Sequence, residues 1–588
     1  MLNAPRLHRI ESVEEACEGV KIFKFHAPEI ARRAKPGQFV MVWLPRYDEI
    51  PISVADASQD EIEIAIADVG DCTHRLHQKK AGEMLGLRGP FGRGFSLHEF
   101  QEGRVCLVAG GYGAAPLKFA AKALKAKGAE VLVLLGARSA RNLLYADAFE
   151  RFGCSVRVAT EDGSAGFKGT VVELLNEILR CEDFDAVLTC GPERMMLRVC
   201  EITAKRGIKT QVAVERIIKC ASGACDSCDI GGFRVCKEGP VFSAEQLLET
   251  EFGKWKRSKS GRRVPLSSDA FSVESSPLPR LEPESEPLLQ TEVCGIRFPN
   301  PLMNASGFAL SGRMLYRFAK AGAGAVVTKS IGIAENEGYP NPTFVEVAPQ
   351  TYANAIGLAN PGILAYKTEI EEAKAAGVPI ILSIFGKSVE ECERIARIAV
   401  NYPIDMIELN ASCPHSAFEP LEKRPEMLCE IVTAVSAIAH RSGIPLAVKI
   451  SANTEDPARL AEMLERCGAD AICATNTLIA RPVHEGIPLL GSPTGYGGIS
   501  GRKIANVGKK VVFQIAEAVN IPIIAVGGIF SAKDVLDYAA AGASLFQIGS
   551  AIVSEGPEIF SKIKAELLKI LASQRKKISD FVGVAHRR

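Results

Sequence analysis

Four cysteines near the middle of the chain have the spacing of an iron–sulfur ligand set. The segment KCASGACDSC places Cys220, Cys225 and Cys228 in the pattern C-x4-C-x2-C, and Cys236 follows after seven further residues. Plant-type ferredoxins hold a 2Fe–2S cluster with this spacing and a more distant fourth cysteine. A structural zinc site is the alternative, although paired C-x2-C knuckles are more typical of zinc. We therefore predict that these four cysteines bind a 2Fe–2S cluster.

Another cysteine directly follows a buried apolar run. In LNASCPH, at residues 409–415, Cys413 stands between a serine and a proline. A thiol can act as a general base when its pKa is tuned towards neutrality. The alternative is an inert, buried cysteine. The choice between the two depends on the elements that position Cys413.

Those elements form a regular series. Eight short apolar runs recur between residues 302 and 551, separated by stretches with helical periodicity. Eight strand–helix units over about 250 residues predict a TIM barrel, whose strand ends converge on one mouth where active sites are built. Cys413 lies just past one such run, MIELNAS, which favours the catalytic interpretation. The residues that end the runs are Ser306, Lys329, Ser383, Asn410, Lys449, Asn476, Gly527, Gly528, Gly549 and Ser550.

The residue types at this mouth suit a phosphorylated cofactor and a small polar ring. GYGGISG, VGGI and IGSA, near the last strands, would let backbone N–H groups approach a phosphate closely. Lys329 and Lys449 would place positive charge where a reduced flavin requires it. Amides that suit a flat ring such as a pyrimidine come from Asn354, Asn360, Asn410 and Asn476.

The N-terminal part of the chain has a different pattern. VCLVAGGYGAAPL, at residues 105–117, predicts a strand, a glycine turn and a helix. EVLVLLGAR and AVLTCGPERMM fit further strands of a parallel nucleotide-binding sheet. Residues 1–100 contain short strand-like pieces with turn residues, which predict a small antiparallel barrel. Arg138 and Arg141 follow a strand where a 2′-phosphate would lie, so NADP stays open beside NAD.

Composition narrows the class of protein. The 588 residues carry a net charge of +1, which gives no reason to expect nucleic acid or an anionic membrane as a partner. The apolar runs are too short to span a bilayer, and no secretory signal is visible, so we expect a cytoplasmic protein. In that compartment cysteines serve as ligands, catalysts or core residues rather than in disulfides.

Residues 253–287 are rich in serine, proline and charge, and they predict a linker without sustained helix or strand. The basic cluster in this segment is interpreted as solvated, although an acidic lipid or partner is an alternative. The cluster consists of Lys254, Lys256, Arg257, Lys259, Arg262 and Arg263.

The barrel half resembles a known family. NASGF, VTKS, NAIGLANPG, ELNASCP, VKIS, TNT, GGISG, VGGI and IGSA resemble the signature segments of class 1 dihydroorotate dehydrogenases, in that family's order over residues 290–570. The resemblance implies an FMN enzyme in which Cys413 removes the C5 proton of dihydroorotate while the C6 hydride passes to flavin N5. It implies substrate contacts from Lys329, Asn354, Ala355, Ile356, Gly357, Leu358, Asn410, His415, Asn476 and Thr477. It implies FMN contacts from Ser306, Lys329, Ser330, Ser383, Asn410, Lys449, Gly501, Gly527, Gly528, Gly549 and Ser550.

Residues 5–250 are similar to the electron-transfer subunit of NAD-dependent dihydroorotate dehydrogenase, a member of the ferredoxin reductase family. This resemblance implies FAD contacts from Pro51, Ile52, Ser53, Gly70 and Thr73. It implies NAD contacts from Gly111, Gly113, Cys190, Gly191 and Pro192. Ile50 stands where the family has an arginine that meets the FAD pyrophosphate, and the resemblance therefore implies looser FAD binding.

Together the resemblances imply a fused enzyme of five parts: a FAD-binding β-barrel (1–100), a NAD-binding α/β domain (101–213), a 2Fe–2S domain (214–252), a linker (253–287) and an FMN-binding TIM barrel (288–588). Dihydroorotate would be oxidised to orotate at FMN, in pyrimidine biosynthesis, and electrons would pass through the cluster and FAD to NAD+. A homodimer through the barrel domain is also implied.

Two departures from the family pattern keep alternatives open. His415 replaces a usual asparagine and is shared with dihydropyrimidine dehydrogenases, which act on uracil or thymine with NAD(P)H; Ser383 replaces another asparagine. The first alternative is therefore a dihydropyrimidine dehydrogenase. The second is an electron-transfer flavoprotein whose barrel no longer turns over and which serves a protein partner.

Overall fold

A computed structural model describes residues 4–266, 277–412 and 421–587. The chain begins with a closed six-stranded antiparallel barrel, in the strand order β1-β2-β5-β4-β3-β6. Its core comes from alternation: in the β5 sequence EIEIAIA, Ile62, Ile64 and Ile66 are buried while their neighbours are more exposed. The elements are β1 (Arg6–Cys17), β2 (Val20–His26), α1 (Pro28–Ala31), β3 (Phe39–Leu44), β4 (Asp48–Ala57), β5 (Glu61–Ala67), α2 (Asp71–His77) and β6 (Met84–Phe91).

A seven-stranded sheet follows, in the order β10-β9-β8-β7-β11-β12-β15. All its strand pairs are parallel except β12 with β15. Strands β7 and β8 are continuous buried runs, as expected for a sheet with helices on both faces. The elements are β7 (Arg104–Gly110), α3 (Ala114–Lys125), β8 (Glu130–Ala137), α4 (Ala146–Arg151), β9 (Ser155–Thr160), β10 (Phe167–Lys168), α5 (Val171–Ile178), β11 (Ala186–Cys190), α6 (Glu193–Ala204) and β12 (Lys209–Ala213).

The cysteine-rich segment leaves this sheet and returns to it. It carries the small hairpin β13 (Asp229–Ile230) and β14 (Phe233–Arg234), then β15 (Val241–Ser243) and α7 (Ala244–Leu248). Because β15 pairs with β12, the segment between them is a loop held at both ends by the same sheet.

The C-terminal half is an eight-stranded parallel barrel, and the eight apolar runs predicted from sequence are its strands. Their order is β20-β33-β32-β27-β26-β25-β24-β21. A parallel bridge between Met303 and Ala325 closes the ring, and the Asn304 side chain pairs with both the N–H and the C=O of Val327. The predicted TIM barrel is therefore confirmed.

The elements of this half that precede the fifth barrel strand are β18 (Thr291–Val293), β19 (Ile296–Phe298), β20 (Leu302–Asn304), α8 (Gly312–Lys320), β21 (Val326–Val327), β22 (Phe344–Ala348), β23 (Thr351–Asn354), α9 (Lys367–Ala373), β24 (Ile380–Ile384), α10 (Val389–Ala399), β25 (Met406–Asn410) and α11 (Pro425–Arg441). The remaining elements are β26 (Leu446–Ser451), α12 (Pro457–Arg466), β27 (Ala471–Asn476), β28 (Leu478–Ala480), β29 (Val483–His484), β30 (Ile487–Pro488), β31 (Gly497–Gly501), α13 (Ala505–Ala516), β32 (Ile523–Val526), α14 (Ala532–Ala540), β33 (Ala543–Ile548), α15 (Ser550–Glu555) and α16 (Ile559–Gln574). Strands β22, β23, β31 and β28 form a separate antiparallel sheet.

The predicted linker is ordered at its start, which corrects the sequence interpretation. Residues 255–265 form an antiparallel hairpin of β16 (Trp255–Arg257) and β17 (Arg263–Pro265). Arg257, interpreted from sequence as part of a solvated basic cluster, has a side chain only 2% exposed. Local composition misleads here because Glu369, the carboxylate shared by Arg257 and Arg263, lies more than a hundred residues further along the chain.

Those partners form a buried charge network that ties the hairpin to the barrel. Arg257 donates to both carboxylate oxygens of Glu369, at 2.9 and 3.3 Å, and Arg263 donates to the same carboxylate at 2.7 Å. Glu369 also accepts the N–H of Gly312, at the start of α8. Burial alone would raise the pKa of Glu369, but the two arginines outweigh it and hold that pKa well below its ordinary value. The carboxylate therefore joins the hairpin, α8 and α9.

Among the described residues one disulfide is present, against the expectation from the cysteine usage. Cys429 in α11 is bonded to Cys467, at the end of α12, with their Cα atoms 5.5 Å apart. The two helices pack side by side, which brings residues 38 positions apart within bonding distance. Within the described ranges, no helix is both long and apolar enough to cross a membrane.

Removing the central carboxylate of the buried network should destabilise the protein. Glu369→Ala leaves Arg257 buried without its main counter-charge, and we expect a loss of about 3–5 kcal/mol in unfolding free energy. Calorimetry should show a lower melting temperature. Glu371→Ala is the matched control on the same helix, because Glu371 is half exposed and its pairing with Lys367 is long, at 3.7 Å. Equal melting temperatures for the two variants would contradict the assignment of a stabilising role to the network.

Candidate redox centres

A cavity opens at the mouth of the parallel barrel. Its walls come from the ends of several barrel strands, from the separate antiparallel sheet and from the cysteine-rich loop. The lining residues are Ala224, Ser306, Gly307, Phe308, Lys329, Ser330, Phe344, Asn354, Ile356, Leu358, Asn410, Asn476, Thr477 and Ser500. Nine of the residues singled out from sequence thus lie on one surface.

Two polar atoms in the wall have no protein partner among the described residues. The Lys329 ammonium and the Thr477 hydroxyl are buried, and neither makes a hydrogen bond. Burial lowers the pKa of Lys329 from its ordinary value, although Cys225 and Asp226 oppose that effect. Buried polar groups in native proteins are almost always paired, so these two atoms indicate a polar ligand in the cavity.

The amide side chains of the wall are joined to one another. Asn476 donates to the Asn410 carbonyl oxygen at 3.3 Å and to the Ser412 hydroxyl at 3.1 Å. Asn410 in turn donates to the Ser330 hydroxyl at 3.0 Å. These groups are therefore fixed in orientation before any ligand binds.

Two further predicted residues lie behind the wall. Lys449 donates to the Ser306 hydroxyl at 2.8 Å, and the Ser383 hydroxyl lies 3.0 Å from that of Ser330. Both side chains are buried, so they support the lining residues. Gly501, Gly527, Gly528, Gly549 and Ser550 lie at or beyond the ends of strands β31, β32 and β33 and do not line this cavity.

The NAIGLANPG segment divides between the cavity and the core. Asn354, Ile356 and Leu358 line the cavity, whereas Gly357 does not. Ala355 packs in an apolar cluster with Trp43 of the first barrel. Cys413 and His415 lie outside the described residues. The last residue described before them, Ser412, is held to the cavity wall by Asn476.

The three cysteines of the C-x4-C-x2-C loop and Cys236 are all buried. Backbone N–H groups of Ser222 and Ala224 point at the Cys220 sulfur at 3.4 and 3.3 Å, and the Gly223 N–H points at the Cys236 sulfur at 3.2 Å. Such amides stabilise negative charge on sulfur and are among the groups that set cluster potentials. The loop therefore has the donors that a cluster requires.

The cysteine side chains contact one another in a chain. Cys220 is within hydrogen-bond reach of both Cys225 and Cys236, and Cys236 is within reach of Cys228. Within the part of the chain that the structure describes, no group of three or more His, Cys, Asp or Glu side chains has an arrangement that could hold a single metal ion. The thiols thus lie side by side without converging on one point. The assignment of a cluster rests on the spacing of the cysteines, on the loop amides and on similarity to known proteins.

One apolar cluster connects this loop to both halves of the molecule. It contains the four cysteines together with Phe344 and Tyr352 beside the cavity, with Phe308 and Ile356 packed against it. It also contains Phe39 and Met41 of β3. Strand β3 pairs with β4 at the residues predicted to meet FAD, with Phe39 opposite Ser53 and Met41 opposite Pro51. The cysteine loop thus lies between the two predicted flavin sites.

The remaining predicted nucleotide contacts lie on the first barrel and the seven-stranded sheet. Ile52 is in β4, and Gly70 begins α2, where the Thr73 hydroxyl accepts the Gly70 N–H at 2.9 Å. Gly111 and Gly113 follow β7, while Cys190 is the last residue of β11 and Gly191 and Pro192 follow it. A Cβ on Gly113 would lie 2.3 Å from the Cys190 carbonyl oxygen, so only glycine allows these two strand ends to approach.

Several residues of the site were not found from sequence. Gly307, Phe308 and Ser500 belong to the NASGF and GGISG segments but were not singled out as contacts. Phe344 and Ala224 also line the cavity, and neither was predicted. Glu408 and Gln547, behind the wall, interrupt the apolar runs MIELN and LFQI. A charged or amide side chain in a buried run was the signal that would have revealed these two.

Comparison with known proteins covers nearly the whole chain. The family model "Dihydroorotate dehydrogenase" matches residues 288–571, "Iron-sulfur cluster binding domain of dihydroorotate dehydrogenase B" matches 215–248, and "Oxidoreductase NAD-binding domain" matches 107–201. These matches support an iron–sulfur centre, a bound flavin and a nicotinamide nucleotide.

Two groups of relatives match different halves. The probable dihydroorotate dehydrogenase B (NAD(+)) electron transfer subunit of Methanothermobacter thermautotrophicus is 44% identical over 270 residues, which are 45% of this chain and 98% of that protein. The catalytic subunit of dihydroorotate dehydrogenase B (NAD(+)) from Methanocaldococcus jannaschii is 39% identical over 310 residues, which are 51% of this chain and 99% of that protein. A single polypeptide thus spans nearly the full length of both subunits, and the chain belongs to the dihydroorotate dehydrogenase B family.

Proposed function

We propose that this chain oxidises (S)-dihydroorotate to orotate at FMN and passes the electrons through a 2Fe–2S cluster and FAD to NAD+. The observation that carries this proposal is the contact between the cysteine-rich loop and the barrel cavity. Ala224, between two of the cluster cysteines, forms part of the wall of the barrel cavity. A substrate cavity that shares a wall with an iron–sulfur loop suits a two-electron oxidation whose electrons leave singly.

The residues of the barrel mouth have separate roles in this scheme. Cys413 is the base that removes the C5 proton of dihydroorotate. FMN, when bound, accepts the C6 hydride. Lys329 supplies a cation to the cavity, and because its ammonium has no hydrogen-bond partner among the described residues, it is available to flavin and substrate. Lys449, held against Ser306, places a second cation behind the flavin site.

The packing of the cysteine loop supports a relay between the two flavin sites. Cys220, Cys225, Cys228 and Cys236 would ligate the cluster, inside the apolar cluster that extends from the FMN cavity to β3. Pro51, Ile52, Ser53, Gly70 and Thr73 would hold FAD beyond it. Gly111, Gly113, Cys190, Gly191 and Pro192 would hold NAD, next to FAD.

The substrate is tested by anaerobic titration of the purified protein while the flavin spectrum is followed. Dihydroorotate should bleach the flavin, and dihydrouracil in parallel should leave it unchanged. Bleaching by dihydrouracil alone would assign the enzyme to pyrimidine degradation, as His415 suggested. If neither compound bleaches a preparation shown to contain FMN, the barrel does not turn over and the proposal fails.

Replacing the base should separate cofactor binding from chemistry. Cys413→Ser should retain FMN but lose at least about 100-fold in the rate of flavin reduction near neutral pH, because a serine hydroxyl is a far weaker base than a tuned thiol. Stopped-flow absorbance measures this rate. The loss should shrink as the pH is raised. Undiminished reduction at pH 7 would remove the assignment of Cys413.

Removing a cluster ligand should cut the relay between the flavins. Cys225→Ser should lose the 2Fe–2S signal in the electron paramagnetic resonance spectrum and stop NADH formation, while dihydroorotate still bleaches FMN. Cys200→Ala is the matched control, since Cys200 is fully buried in the same apolar cluster but lies outside the ligand spacing. Continued NADH formation by Cys225→Ser would refute the relay.

We also propose a homodimer through the barrel domain and a cytoplasmic location. Three large apolar side chains support the dimer: Ile479, Val483 and Tyr496 are between 38% and 50% exposed and come from adjacent segments beside the barrel mouth. Light scattering of the purified chain gives the oligomeric state. A monomer at micromolar concentration would contradict this part of the proposal.

A further inference from the structure

A buried carboxylate behind the cavity ends two chains of hydrogen bonds. Glu408, in β25, is fully buried in the barrel interior. One of its carboxylate oxygens accepts from the Ser383 hydroxyl at 3.1 Å, and the other accepts from the Gln547 amide at 2.6 Å. These partners lie on different barrel strands, β24 and β33, so the carboxylate joins opposite sides of the barrel.

The Gln547 arm leads to the flavin site. Gln547 donates to Glu408 through its nitrogen, so its carbonyl oxygen is free to accept from Lys449, at 2.8 Å. Lys449 also donates to Ser306 at 2.8 Å and lies 3.7 Å from Glu408 itself. The carboxylate is thus both the counter-charge of Lys449 and the group that fixes the orientation of the amide between them.

The Ser383 arm leads to the substrate wall. An ionised carboxylate only accepts hydrogen bonds, so the Ser383 hydroxyl must be the donor in its bond with Glu408. The oxygen of Ser383 then accepts from Ser330, and the oxygen of Ser330 accepts from the Asn410 amide nitrogen. Each hydroxyl in the arm has a single proton to donate. Once the Ser383 proton is directed at Glu408, the donor and the acceptor of every other bond in the arm are therefore fixed.

The direction of this arm decides what Asn410 presents to the cavity. Because its nitrogen is directed at Ser330, its carbonyl oxygen is directed at Asn476, which donates to it at 3.3 Å. Asn476 in turn uses its own carbonyl oxygen to accept the Thr477 N–H at 2.8 Å. A neutral amide at position 408 would remove this constraint, since it could donate to Ser383 and let the whole arm reverse.

We propose that Glu408 is a positioning residue that sets the orientation of the Asn410 and Asn476 amides through Ser383 and Ser330. The substrate wall is then selected for acceptor-rich ligands, because Asn410 keeps one N–H for the cavity while the carbonyl oxygens of both amides are already engaged. Orotate carries a carboxylate and two ring carbonyls and fits that description. This inference rests on the proposed function for the identity of the ligand.

The test is binding of orotate, measured without turnover. Orotate is titrated into the oxidised, FMN-loaded protein, and the perturbation of the flavin spectrum gives the dissociation constant. Glu408→Gln should retain FMN, since its amide oxygen still accepts from Gln547, yet bind orotate about tenfold more weakly. Asp405→Asn is the control immediately before the same strand: the Asp405 carboxylate accepts the Ile380 N–H at the opposite end of the barrel, and the orotate affinity of this variant should equal that of the wild type.

A double-mutant cycle distinguishes action through Ser383 from a general loss of packing. Ser383→Ala breaks the arm, so adding Glu408→Gln to it should weaken orotate binding no further. Additive losses would overturn the proposal, as would wild-type affinity in Glu408→Gln. Glu408→Asp, which keeps an acceptor-only group, should bind orotate more tightly than Glu408→Gln even where either variant loses some FMN; equal affinities would also overturn it. No flavin response from the wild type would instead refute the proposed function, and this inference with it.

Discussion

The organisation of this molecule depends on the burial of one loop against one cavity. The cysteine-rich loop packs its apolar side chains against Phe344 and Ile356 of the parallel barrel and against β3 of the first barrel. Without this contact, each half would expose its apolar side chains of the cluster to solvent. Since both predicted flavin sites border this cluster, the hydrophobic contact that joins the halves also fixes the spacing between redox centres.

Charges at the junction are buried as ion pairs within the N-terminal half, and one member of each pair also forms a hydrogen bond with the backbone of the barrel half. Arg88, in β6, forms a buried ion pair with Glu49 of β4 and also donates to the Phe344 carbonyl oxygen at 3.1 Å. Asp226, in the cysteine loop, pairs with Arg234 and accepts the Leu310 N–H of the barrel at 3.2 Å. A buried charge without its partner is expensive. These contacts therefore tolerate few relative positions of the halves, which favours one fixed arrangement.

Features that depend on local sequence pattern were predicted correctly. Features that depend on contacts between distant parts of the chain were missed. The eight barrel strands were predictable because each is a short apolar run with a polar residue at its end. The four cysteines were predictable because ligand spacing is a local property. The hairpin at residues 255–265 was missed because its arginines have the local composition of a solvated segment. Their burial depends on Glu369, which only the folded chain brings next to them. Glu408 and Gln547 share the same explanation: they lie on strands separated by three others in the sheet and meet only across the closed barrel.

Local pattern also failed to separate the residues of the NAIGLANPG segment that line the cavity from those that pack in the core. Ala355 carries the family pattern yet packs against Trp43, because the segment that contains it serves the contact between halves as well as the cavity. Sequence spacing does not separate these two demands on adjacent residues.

The hairpin that precedes the linker has a consequence for the linkage of the two halves. Its arginines are bonded to Glu369 of α9, which also accepts the first N–H of α8, so non-covalent contacts already hold the N-terminal half in place. The peptide connection that follows is therefore not required for adhesion. What it guarantees is equal dosage: every catalytic barrel is synthesised with its own electron acceptor, and neither accumulates as an orphan with an exposed apolar face.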